Sequence, residues 1–191
     1  VALLAPGRAL REWPGSAEWC GIDRENNGDR DRAQAVEEDD MLWVTRAGGN
    51  VDRVACPWLI KHFIDRDAQF LYVPADKVLE TAELLGARSY DAQGAEYTHQ
   101  HLPEGEICSF VTLMRAFKLW GTDLALDMVG KIVNHADTSP ETSAYTMPEG
   151  DGLEAIARGF ALLTADDHQK LAWEFPLYDA LYAYCKRTTA G

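Results

Sequence analysis

Between Asp91 and Cys108 the chain places a run of side chains that bind metals or move protons: Asp91, Glu96, His99, His101, Glu104, Glu106 and Cys108. On an extended strand His99 and His101 share a face, as metal ligands two apart often do. Glu96 and His99 stand three apart and point to opposite faces unless a bulge or loop at Thr98 brings them together. Farther on, His135 and Asp137 close a helical stretch. His99 and Asp137, joined by Glu96 or Cys108, form a ligand set that suits a divalent transition metal. The competing expectation is that these groups satisfy one another and nearby backbone under a loop. His135 is explained by the favourable dipole at a helix C-terminus, and His62 and His168 fall on polar helix faces.

A second chemical group gathers at the mouth of an early helix. Residues 43–65 read WVTRAGGNVDRVACPWLIKHFID. Trp43 to Arg46 suit a strand, residues 47–50 a turn, and residues 54–64 a helix with Cys56, Leu59, Ile60, Phe63 and Ile64 on its apolar face. Pro57 is expected in the first turn. Asp52 is expected to cap this helix and orient Arg53. Arg53, with Arg46 and Lys61, would face an anion attracted to the backbone N–H groups there, and Trp58 would wall the pocket. Cys56 is expected to be buried. Thiol chemistry has two candidate pairs, Cys108 with His99 and Cys56 with His62; the second pair points to different helix faces.

These groups must be held by a small sheet and many helices. Residues 69–73 suit a second strand, 75–85 a helix stopped by Gly86, 88–91 a short strand and 95–101 its return. From Phe110 onward the pattern is helical: 110–120 capped by Ser109, 123–136 capped by Thr122, a loop beginning at Asp137, 153–163, and 165–186 capped by Thr164. In the last helix Leu171, Phe175, Tyr178, Tyr182 and Cys185 make one apolar stripe. Trp173, Leu177, Ala180 and Tyr184 make another, and Pro176 is expected to kink it. The class expected is α+β, a small mixed β-sheet with flanking helices followed by a helical C-terminal half. Residues 1–40 are charged and poor in large apolar side chains, and are expected to be an extension or linker to a domain spanning 41–191.

The chain of 191 residues has 18 basic and 31 acidic side chains, a formal net charge of −13. That lacks the basic footprint a nucleic-acid binder needs, so no nucleic-acid binding by this chain alone is expected. It also repels anions at long range, so an oxyanion site must be local. The four cysteines contain no C-x-x-C pair. Neither a secretory signal nor a membrane span is expected, and a cytoplasmic setting with reduced thiols fits. Phosphate-binding glycine loops, nucleophile elbows and H-E-x-x-H helices are absent from the sequence.

The run DRVACPWLIKHFID, preceded by WVTR and followed by FLYVP, resembles the signature of ChrB-type chromate-resistance domains. YDAQGAEYTH at 90–99, CSF at 108–110 and IVNHADT at 132–138 fit the same pattern. The resemblance covers about residues 41–138. It implies a chromate-responsive regulator or accessory resistance protein of bacteria, and it singles out Glu96, His99, Cys108 and Asp137 as family-type positions, His101 not clearly. The function expected is an accessory detoxification domain that binds a small inorganic oxyanion or a metal ion. The competing expectations are a metal- or thiol-dependent enzyme, hydrolase or chromate reductase, and an interaction module that forms a homodimer through the C-terminal helix.

Overall fold

The structure, a computed structural model, describes residues 41–190. The expected extension at 1–40, with Trp13, Trp19 and Cys20, lies outside the described residues. Strand β1 (Leu42–Arg46) leads into helix α1 (Val51–Leu59), and β2 (Gln69–Val73), α2 (Val78–Leu85) and β3 (Arg88–Ser89) follow. The three strands form one parallel sheet in the order β2-β1-β3. β1 is its central strand, and Trp43, Val44 and Thr45 are buried on both of its faces. Trp43 joins the main core, while Val44 packs with Val78, Ala92 and Ala95 under α2. Alternate residues of one strand thus serve two apolar clusters. Gly86 ends α2 in the left-handed region, φ 61°. Val78 of α2 is fully buried, whereas Leu79 and Leu85 are half exposed.

A hairpin that the sequence did not announce, β4 (Gln100–Leu102) with β5 (Gly105–Ile107), replaces the expected strand at 95–101. Upstream of it only a Tyr90–Tyr97 bridge extends the sheet. Helices α3 (Ser109–Ala116), α4 (Leu124–Asp137), α5 (Pro148–Leu163) and α6 (Asp167–Thr189) complete the α+β fold. Their starts differ from expectation in instructive ways. Asp123, not Thr122, caps α4, accepting from Ala125 N and Leu126 N. α5 begins at Pro148, whose missing N–H costs nothing in a first turn. Asp166, not Thr164, caps α6, and that helix continues through Pro176. Asp137 is the last helical residue of α4 rather than the start of a loop. Among the described residues no helix is long and apolar enough to cross a membrane.

α1 is the buried axis. It starts three residues earlier than expected, at Val51, and ends in a π-helical turn over Ile60–Ile64. Pro57 therefore lies in the second turn, where it leaves the Arg53 carbonyl without its helical donor. The Tyr72 hydroxyl of β2 donates to that carbonyl instead, at 3.4 Å. Trp58 stands at the centre of the core against Phe110, Tyr178 and Tyr182, with its Nε1 donating to Asp179. Fully buried there, it presents no surface to solvent.

One buried latch ties α6 to this unit. The Asp167 carboxylate accepts from Gly48 N at 2.9 Å and Gly49 N at 2.6 Å, and Lys170 bridges Asp167 and the Gly49 carbonyl. Asp167→Ala would take from the Lys170 ammonium, whose side chain is 3% exposed, its hydrogen-bonded carboxylate, leaving it the Gly49 carbonyl. The expected loss is about 3–5 kcal/mol of unfolding free energy, measured by urea denaturation. A loss under about 1 kcal/mol would show the latch to be marginal. On the same helix the first apolar stripe packs inward, whereas Trp173 and Tyr184 of the second are exposed.

Candidate metal centre

Three segments remote in sequence deliver carboxylates and an imidazole to a common point: one carries Asp52, one Asp91 and His99, and one Asp137. Ligand-type atoms of Asp52, Asp91, His99 and Asp137 all lie within 4.8 Å of one another. Asp52 comes from the first turn of α1. It does not cap its own helix, where Asn50 holds the cap position without a side-chain bond. Its Oδ2 reaches across to α3, accepting from Ser109 N at 2.6 Å and Phe110 N at 3.3 Å. Asp137, at the end of α4, accepts from Asp52 N at 3.2 Å. The first turns of α1 and α3 thus aim their free N–H groups at carboxylates, where the helix dipoles favour negative charge.

Asp91 follows β3 with φ 45°, a left-handed conformation that aspartate tolerates better than most side chains. Its Oδ1 accepts from Ser109 Oγ at 3.0 Å, and its Oδ2 from Arg53 Nη1 at 2.7 Å and Arg46 Nη2 at 3.4 Å. His99 precedes the hairpin. Its Nδ1 meets Glu106 Oε1 at 2.8 Å, and its Nε2 lies 3.1 Å from Asp137, 3.6 Å from Asp52 and 3.8 Å from Asp91. Glu106, steadied by Thr142 Oγ1, therefore stands behind the ring in the manner of a carboxylate–histidine–metal relay.

The electrostatics are those of crowded ligands. Burial by itself would lower the pKa of His99, but its bonds to Asp137, Asp52 and Glu106 outweigh that and push it up to about 11. Burial and then the charge of Asp52 push Asp137 up to about 7, and the same two causes raise Asp91. Asp52 is 1% exposed, and its Oδ1 is buried without any hydrogen-bond partner. A bare carboxylate oxygen in that position is costly unless something positive completes it. Glu106→Gln keeps the shape behind His99 and removes the charge. For an ion held by this cluster, the expected result is a 10–100-fold loss in affinity by calorimetric titration. An unchanged affinity would remove Glu106 from any orienting role.

The structure brings His99, Asp137 and Asp52 together and adds Asp91 and Glu106. Glu96 stands outside, its carboxylate paired with Arg88 at 2.5 and 2.7 Å. His101 is exposed on the hairpin. Arg53 is engaged by Asp91 and by the Gly48 carbonyl, so Asp91, not Asp52, orients it. Arg46 is half exposed beside Asp91. Cys56 and Cys108 are fully buried near the cluster, and burial followed by the charge of Asp52 raises both thiols. Neither is poised as a thiolate at neutral pH. The sequence placed Asp91 in the ligand-type run, but no spacing paired it with Asp52, since the two meet only through the sheet-to-helix packing.

The fold and cluster define an α+β domain whose buried helix carries one corner of an acid–histidine centre. The sequence model described as ChrB, C-terminal domain, matches residues 43–185, and this chain belongs to that family. The match runs into α6, well past the residue 138 limit expected from sequence. The chain is similar to Protein ChrB of Cupriavidus metallidurans, at 31% identity over 157 residues, or 82% of this chain. It spans 44% of the length of that relative. No solved structure matches.

Proposed function

We propose that this ChrB-type domain serves chromate resistance as a metal-binding domain, holding a divalent transition-metal ion between Asp52, Asp91, His99 and Asp137. The observation that carries this reading is the convergence of four ligand atoms, with Asp52 and Asp91 almost fully buried and one Asp52 oxygen left without a hydrogen-bond partner. Three carboxylates and one imidazole suit ions such as Mn²⁺, Fe²⁺ or Zn²⁺. Each ligand also has its own orienting group: α3 N–H groups for Asp52, Ser109 and Arg53 for Asp91, Glu106 for His99, and the Asp52 N–H for Asp137. Such outer partners are the usual companions of metal ligands. An oxyanion alone is the weaker occupant, because it would meet three carboxylates while Arg53 is already committed.

The test is elemental analysis of protein purified without chelator, followed by melting with and without added ion. The expected result is about one ion per chain. With free ion at about 100 times its Kd, linkage adds about 2.7 kcal/mol, or roughly 5–10 °C in Tm for a chain of this size. No bound metal, and no shift with Mn²⁺, Fe²⁺ or Zn²⁺, would end this reading.

A further inference from the structure

The metal cluster is lopsided. Side chains of Asp52 and Asp91 are 1% and 3% exposed, whereas those of Asp137 and His99 are 14% and 26% exposed. The protein's donors close the inner side, and the Asp137 edge faces outward. On that edge lies a cleft of about 390 Å³ whose lining includes Asp137, Asn50, His135, Ser139, Asp151 and Arg158.

The cleft has a built donor on one wall. His135 Nδ1 accepts from Met147 N at 3.2 Å, which leaves the ring hydrogen on Nε2. That nitrogen donates to Asp151 Oδ1 at 3.0 Å. The ring is seated against Gly150, where any Cβ would run into it. Arg158 supplies a second donor group and at present holds Glu154. Both donors are thus covered by carboxylates of α5 that are easily exchanged: the Asp151 side chain is 81% exposed, and the Arg158–Glu154 pair is an exposed i,i+4 contact worth little. Intramolecular carboxylates already show which chemistry these donors accept, and a guanidinium matches a carboxylate fork.

We propose that this cleft takes a small organic carboxylate, held by Arg158 and His135, as an outside ligand of the ion at the Asp137 edge. The inference rests on the metal-centre reading. Without the ion, Asp137, Asp151 and Glu154 outnumber Arg158 and repel an anion. With it, the incoming carboxylate gains a cation to bind beside Arg158. Binding of the carboxylate should therefore require the metal.

Succinate is the probe, with inorganic sulfate as the control anion, titrated calorimetrically into metal-free and Mn²⁺-loaded protein. Expected are succinate binding to the loaded form alone, a loss of about tenfold or more in Arg158→Ala, and a Mn²⁺ affinity within about twofold of wild type in that variant. His135→Leu should lose succinate similarly, and Arg158→Ala keeps the test valid if that variant fails to fold. Equal succinate binding without metal, equal binding by Arg158→Ala, no binding, or sulfate bound in preference would each overturn the proposal. Failure of the chain to bind Mn²⁺ at all would overturn the metal reading and this one with it. Metal binding without succinate binding would overturn this one alone.

Discussion

Asp52→Asn is expected to weaken metal binding by at least about a hundredfold, beyond what loss of an orienting group costs. The substitution preserves side-chain size and leaves an oxygen for the Ser109 and Phe110 N–H groups, so the anchor between α1 and α3 survives. What disappears is the charge and the second, unpartnered carboxylate oxygen. Metal-free protein should not suffer in proportion. The charge of Asp52 is a principal reason, after burial, that Asp91 and Asp137 are raised, and removing it relieves that crowding. The variant should therefore melt close to wild type without metal and gain nothing when metal is added. Calorimetric titration and paired melting curves read both halves. An affinity within about threefold of wild type would remove Asp52 from the ligand set.

Metal affinity should also climb steeply with pH. His99 is protonated at neutral pH, its pKa at about 11 through the carboxylates around it, and an ion can use Nε2 only after displacing that proton. One released proton means tenfold per pH unit, so His99 alone gives about a hundredfold between pH 6 and pH 8. Asp137, raised to about 7 by burial and the charge of Asp52, releases a further fraction of a proton below that pH. The total should lie near 10²–10³-fold.

The metal-free fold responds with the opposite sign. Both groups bind protons more tightly folded than unfolded, so stability falls as pH rises wherever they titrate. Asp137 acts from its unfolded value near 4 (roughly) up to about 7, and His99 from about 6.5 up to about 11. The metal-induced rise in Tm should accordingly be larger at pH 8 than at pH 6. Titrations that return the same affinity at both pH values would mean that His99 gives up no proton to the ion.

The sequence by itself determined a good part of this. The strand-forming run from Trp43 to Arg46, the glycine break, the cysteine-bearing helix and the helical pattern after Phe110 are local signals, set by side-chain type, period and turn residues. The family signature in residues 43–65 and 90–99 was legible for the same reason, and the sequence singled out His99 and Asp137, which the structure brings together. The hairpin at 100–107 was not legible, because strands of three residues carry too little period to register. Nor was the role of Asp52, which looked like a cap for its own helix. Only tertiary packing decided that its carboxylate spans to the first turn of α3, that Asp91 turns inward under Arg53, and that Glu96 is drawn off by Arg88. A carboxylate takes the strongest donors within its reach, and which donors those are depends on where separate helices end in space, which no spacing along the chain records.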